Sequence, residues 1–344
     1  MTALAVLDAP GPLSTDLLVA RAQEYARSSQ AASTRRAYAS DLRDFDAFCA
    51  QHGERSYPAE PQTIALYVAA SADRVKVATI RRRLAAISVR HRRAGLESPC
   101  SHRIVREVVS GIAREKGTAP RRVDAATLDV LRPLLLAVRG DDLAAKRDRA
   151  IILLGFAAAL RRSELAALRL EDLRFSKRGL LVRITRSKTD QEGSGAEIAV
   201  PHVENASLCA VRAVRAWIDA AGIVEGPLFR SLTPHRRVQV LPIQGRDVAN
   251  LVQRLARRAR LDGDFSGHSL RAGFVTAAAQ AKVPLDVIMR TTRHRSLAVL
   301  TAYISPWRRF RGAGPLIHHR LAQTRPPSFP GLSVIADKLS SIIA

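Results

Sequence analysis

Two arginines, two histidines, a lysine and a tyrosine follow one another along this chain in an order suited to phosphoryl transfer on DNA. The run Gly267-His268-Ser269-Leu270-Arg271 precedes Arg293-His294-Arg295-Ser296-Leu297, and Tyr303 stands nine residues beyond His294. Upstream lie Leu160-Arg161-Arg162-Ser163-Glu164-Leu165 and Arg186-Ser187-Lys188-Thr189-Asp190. A phosphodiester is already anionic, and charge grows on its non-bridging oxygens as a nucleophile enters. Guanidinium forks are suited to stabilising that charge. Arg271 and one of Arg161 or Arg162 are the candidates. Tyr303 is the candidate nucleophile: of Tyr25, Tyr38, Tyr57, Tyr67 and Tyr303, only the last lies beside these motifs. A free phenol has a pKa near ~10, so it needs cations or a base nearby. Lys188 is one of seven lysines in a chain with 55 Lys+Arg. A lysine can give up its proton to a leaving oxygen where an arginine cannot. Glu164, one turn from Arg161, is placed to orient the site or to form an ordinary surface pair.

The elements that must carry these residues are mostly helical. Ser33-Thr34 precedes Tyr38, Leu42, Phe45 and Phe48-Cys49 at helical spacing, ended by Gly53. Pro61 opens a second helix, and a third places Ile80, Leu84 and Ile87 on one face before Gly95. A fourth runs through Ile104, Val105, Val108, Val109 and Ile112. Four such helices make a small all-α module. Gly117-Thr118-Ala119-Pro120-Arg121-Arg122 is the linker candidate. Asp124 is expected to cap the next helix, and residues 124–173 read as three helices. Residues 180–184 and 198–200 read as a hairpin, and from Ser207 to Tyr303 the pattern returns to helix. An apolar final helix is expected within 332–343.

In this order, Arg161, Lys188, His268, Arg271, His294 and Tyr303 resemble the active site of the tyrosine recombinases, the phage integrase family. The family pattern Leu-Arg-x-Ser-Glu-Leu selects Arg161 over Arg162. Ser33-Thr34-Arg35-Arg36-Ala37-Tyr38 through Phe48 is similar to the first helix of the family's core-binding domain, and Thr79-Ile80-Arg81-Arg82-Arg83 through His91 and Gly95 to its third. The resemblance covers roughly residues 30–312. It implies a mainly α fold with a small β-hairpin or sheet, in which an N-terminal helical (SAM-like) core-binding domain and a catalytic domain form a clamp around DNA. The corresponding boundaries are a flexible tail over 1–15, the helical domain over 16–116, a linker over 117–123, the catalytic domain over 124–312 and a C-terminal tail over 313–344. That tail carries a helix that docks on its own domain or on a neighbouring protomer.

The resemblance also implies a mechanism. Tyr303 attacks a scissile phosphate, a 3′-phosphotyrosyl bond forms and a 5′ hydroxyl is released. A 5′ hydroxyl from a partner duplex reverses the step, with no cofactor, metal or ATP. His268 assists proton transfer or holds the phosphate, His294 hydrogen-bonds a phosphate oxygen, and Lys188 protonates the departing oxygen. The implied partners are double-stranded DNA with inverted-repeat half-sites and further copies of the chain, a dimer on one site and a tetramer in synapsis. Contacts to the DNA backbone are expected from Arg35, Arg36, Arg81, Arg82, Arg83, Arg90, Arg92, Arg93, Arg121 and Arg122. Two positions depart from the family pattern: Arg293 and Ala159 stand where many relatives have glycine. Neither removes a reacting group, and Arg293 adds a charge.

Bulk composition agrees with a nucleic-acid partner. The 55 Lys+Arg against 31 Asp+Glu give a net charge of +24. No Walker-type glycine loop, dinucleotide fingerprint or carboxylate cluster for a two-metal nuclease is found. Cys49, Cys100 and Cys209 lack metal-ligand spacing and are expected as free thiols. Residues 1–15 lack a targeting pattern and the apolar run 150–160 is too short to span a bilayer, so a cytoplasmic, nucleoid-associated protein is expected. The motif His-x-x-Arg alone is weak, since His52-Gly53-Glu54-Arg55 matches it too. Two other readings stay open: a catalytically inactive DNA-binding protein of the same fold, and a type IB topoisomerase-like activity that relaxes DNA.

Overall fold

A computed structural model describes residues 14–119, 123–185, 195–294, 296–297 and 300–301. Its contacts divide the chain into two units, Met1–Arg121 and Arg122–Ala344. The expected positions Arg121, Arg122, Lys188 and Tyr303, and both terminal tails beyond residues 14 and 301, lie outside the described residues.

In the first unit the described residues form α1 (Thr15–Ser28), α2 (Ala32–His52), α3 (Pro61–Ser71), α4 (Val77–Arg93) and α5 (Arg103–Lys116). One more helix is present than the four expected, because α1 carries no buried face from which periodicity could be read. Gly53 ends α2 in the left-handed conformation (φ 70°), and Pro61 starts α3 where its missing N–H costs nothing. Phe45, Ile64, Tyr67, Ile80, Ile87 and Val105 form the core of this unit. Tyr67 is buried among them, and its hydroxyl donates to Asp44 at 2.7 Å.

The second unit begins with α6 (Leu128–Leu136), α7 (Leu143–Ala157) and α8 (Arg162–Ala167), the three helices expected there. Helix α7 is buried on nearly every side after Asp148, which is why its sequence is almost uniformly apolar. Asp124 does not cap α6. Its carboxylate accepts from the Asp264 N–H at 2.7 Å and its own N–H donates to Asp264 O at 2.9 Å, a long-range tie that local spacing does not encode. Thr127 occupies the cap position.

The hairpin expected over 180–200 is part of a three-stranded antiparallel sheet, β1 (Leu173–Ser176), β2 (Gly179–Ile184) and β3 (Ala196–Pro201), in the order β1-β2-β3. Leu180 pairs with Val200 and Val182 with Ile198, all four buried. At four residues, β1 is too short for alternation to mark it. Helix α9 (Ala210–Ala221) follows, and Trp217 Nε1 donates to Leu228 O at 2.8 Å inside the core. A second correction concerns the stretch read as wholly helical. Strands β4 (Arg230–Leu232) and β5 (Val238–Pro242) form a separate antiparallel pair. β5 is mostly exposed, and the residue that turns the chain with positive φ is Arg236 rather than a glycine, so neither usual signal was present. Helices α10 (Gly245–Arg258), α11 (Gly267–Gln280) and α12 (Leu285–Thr292) complete the described residues of this unit. Among the described residues no helix is long and apolar enough to cross a membrane.

Candidate active site

The chain leaves α7 through Ala159, which is fully buried and holds φ at 47°. That corner delivers Arg161, in extended conformation, to the cap position of α8. No Ser, Thr, Asp or Asn is available to cap this helix. Glu164 in its first turn reaches back instead: Arg161 N donates to Oε2 at 2.9 Å and Arg161 Nη1 to Oε1 at 2.6 Å. Arg161 is therefore fixed by the helix it starts. Arg162 next to it is exposed, with its Cβ side against Gly267.

Helix α11 brings the second set. Ser266 caps it, accepting from His268 N at 3.3 Å and donating its own N–H to Ser269 Oγ at 2.9 Å. This places His268 in the first turn and Arg271 one turn later. Two glycines let α11 approach its neighbours. A Cβ on Gly267 would stand 3.0 Å from Arg162 Cβ, and one on Gly273 only 2.0 Å from the Ala126 carbonyl oxygen. Arg271 is 1% exposed. Its Nη1 donates to Ala159 O at 2.7 Å, while Nη2 donates to Thr292 O and lies 3.3 Å from His294 Nε2. One guanidinium thus ties the corner before α8 to the loop after α12.

That loop is set by Arg293, which ends α12 in the left-handed conformation, φ 55°, after which His294 N donates to Met289 O at 3.1 Å. The Arg293 side chain turns inward, and Nη2 donates to Glu164 Oε2 at 2.6 Å. Burial first, then the charges of Arg271, Arg161, His268 and Arg293, push the His294 imidazole down to about 4. The sequence candidates Arg161, Glu164, His268, Arg271 and His294 therefore gather on α8, α11 and the end of α12. Sequence reasoning missed two contributors. Thr292, whose Oγ1 is 2.7 Å from His294 Nδ1, left no signal. Arg293 was visible only as an arginine where glycine was expected.

Eight of the ten arginines expected on DNA lie among the described residues, and Arg82 is both exposed and paired. Arg35, Arg36, Arg81, Arg92 and Arg93 are exposed, with Arg93 donating to Gln30 at 3.1 Å. Three others pair with α2: Arg82 with Asp41 at 2.8 and 2.9 Å, Arg83 with Asp44 at 2.7 Å and Arg90 with Asp46 at 2.8 Å. Arg90 also lies over the Phe45 and Tyr57 rings. Among the described residues no group of His, Cys, Asp and Glu is arranged to hold a metal ion. The cysteines Cys49, Cys100 and Cys209 are free thiols, and burial pushes Cys49 up to about 11.

Comparison with known proteins identifies the family. Residues 127–307 match the phage integrase family, and residues 23–94 match the phage integrase N-terminal SAM-like domain. An integrase/recombinase XerD homolog of Selenomonas ruminantium is 40% identical over 288 residues, 83% of this chain and 84% of that protein. The recombinase Cre of Escherichia phage P1 is 26% identical over 76% of this chain and 80% of its own length. Among solved structures, a lambda integrase dimer bound to a COC′ core site has a TM-score of 0.56 at 15% identity, covering 89% of this chain and 81% of that one. A XerH site-specific recombinase bound to a palindromic substrate has a TM-score of 0.59 at 14% identity, covering 78% and 75%. The family match over the unit that gathers these arginines and histidines, together with the 40% identical relative, means that this chain belongs to the phage integrase family and is a tyrosine site-specific recombinase.

Proposed function

We propose that this recombinase cuts and rejoins DNA with Tyr303 as nucleophile and Arg161, Lys188, His268, Arg271 and His294 as its catalytic partners. The phenol oxygen of Tyr303 attacks the scissile phosphorus and loses its proton to His268. The bond to the 5′ oxygen breaks, and Lys188 protonates that oxygen as it leaves. A 5′ hydroxyl from the partner duplex attacks the phosphotyrosine in the reverse sense, so the ester's energy is retained and no ATP is consumed. Arg161 and Arg271 neutralise the charge that grows on the non-bridging oxygens.

The observation that carries this reading is Arg271. A guanidinium 1% exposed, fixed by the Ala159 and Thr292 carbonyls beside His294, is preorganised for an anion. The COC′ core-site dimer and the XerH complex on a palindromic substrate support inverted half-sites and a dimer on one site; a tetramer in synapsis is the further assembly proposed. The exposed arginines of α2 and α4 contact the DNA backbone. The test is a nicked duplex that traps the cleaved state, carrying the sequence the protein protects in the DNA flanking its own gene. A covalent adduct is expected. Binding without any adduct would favour an inactive DNA-binding protein. Relaxation of supercoils without exchange between two sites would favour a topoisomerase.

A further inference from the structure

Arg293 occupies a position where the backbone favours glycine and burial disfavours charge. Its φ of 55° lies in the left-handed region, which strains any residue with a Cβ. Its side chain is 10% exposed, and its Nε has no hydrogen-bond partner among the described residues. A buried donor left without an acceptor lowers stability. Ending α12 needs neither feature. The other contacts of the guanidinium are Nη1 to Thr291 O at 3.2 Å and Nη2 to Glu164 Oε2 at 2.6 Å.

Glu164 is 2% exposed and faces two guanidinium groups. Arg161 Nη1 holds Oε1 at 2.6 Å, while Arg161 N and Arg293 Nη2 hold Oε2 at 2.9 and 2.6 Å. One carboxylate between two arginines leaves a net charge of one positive unit. With only one arginine the carboxylate would cancel Arg161, and in a closed, low-dielectric setting that cancellation is strongly felt. The same ion pair fastens the loop carrying His294 to the start of α8.

We infer that Arg293 is a positioning residue for strand cleavage. As the counter-ion of Glu164 it leaves the charge of Arg161 available to a scissile phosphate oxygen, and it holds His294 beside that arginine. This rests on the reading above in which Arg161 binds the phosphate.

Wild type, Arg293→Gly and Arg293→Lys are compared as full chains on the nicked duplex described above, with adduct formation followed in a single turnover. Glycine suits the backbone angle and removes the charge, whereas lysine keeps the charge. Arg293→Met serves the same comparison should the glycine variant not fold. Adduct formation is expected to slow about 10-fold in Arg293→Gly and to recover in part in Arg293→Lys, with DNA affinity changed less than about twofold. A second duplex carries a neutral methylphosphonate at the scissile position. It has less charge to stabilise, so the gap between wild type and Arg293→Gly should shrink to about twofold. An equal gap on both duplexes would mean that Arg293 only supports the fold, and a glycine variant as fast as wild type would mean that it has no part. Either result overturns the inference. A wild type that forms no adduct on either duplex sinks the cleavage reading itself, and the role of Arg293 with it.

Discussion

The Thr292 hydroxyl oxygen stands 2.7 Å from His294 Nδ1 and also 2.7 Å from the Ile288 carbonyl. The carbonyl can only accept, so the hydroxyl proton goes to Ile288 and the threonine oxygen accepts from Nδ1–H. On the other side of the ring, Arg271 Nη2 can only donate to Nε2, 3.3 Å away. These neighbours fit a neutral ring with the proton on Nδ1, in agreement with a ring pushed down to about 4; donation to a phosphate oxygen through Nε2 requires the proton to move there.

This sets a pH dependence whose sign can be worked out. The unfolded chain protonates His294 near 6.5 and the folded chain near 4. Between these values the unfolded state binds more protons, so the contribution of His294 to stability falls as pH drops from about 6.5 to about 4 and is level outside that window. Thermal unfolding of wild type and His294→Asn across this range checks it. The variant should lose less stability on acidification, and parallel curves would refute the assignment.

Glu164→Gln keeps the shape of the side chain and removes the anion shared by Arg161 and Arg293. Two guanidinium groups would then face each other in a buried setting without a counter-charge. Stability should fall by roughly 3 kcal/mol. Adduct formation by the folded fraction should fall about 100-fold, because Arg161 loses its anchor. Chemical denaturation and single-turnover cleavage measure the two effects separately.

Tyr303→Phe removes one hydroxyl from a protein of net charge +24. Binding to DNA is dominated by charge, so affinity should change by less than about twofold while covalent adducts disappear. Gel-shift titration beside a denaturing gel reads both. A large loss of binding would count against Tyr303 as the nucleophile.

Gly273→Ala would put a Cβ 2.0 Å from a backbone oxygen that cannot move aside cheaply. Separation of α11 from the Ala126 segment should cost about 3 kcal/mol. Gly111→Ala in α5 meets nothing within 4 Å and should instead stabilise by up to about 1 kcal/mol. Opposite shifts in denaturation midpoint are the expected result.

Local pattern determined a great deal here. Apolar spacing located α2 to α5, Gly53 and Pro61 marked their ends, and motif order supplied every candidate now found on α8, α11 and the end of α12. These features are legible because neighbours three or four residues apart share a helix face, and because special backbone angles favour special residues. Where a residue broke that usage, its own type gave no signal of the backbone angle. Arg236 turns the β4–β5 hairpin without glycine, and Ala159 and Arg293 take left-handed angles that their types do not announce.

Tertiary structure alone decided the partners. Asp124 resembled a cap and is bound to Asp264; Arg82, Arg83 and Arg90 resembled a basic face and are paired with aspartates of α2. The junction of Glu164 with Arg293 spans 129 residues of sequence, and that of Arg271 with Ala159 spans 112. Chain order sets which groups are present, but contacts across such separations arise only when packed helices close the distance, and no local periodicity records them.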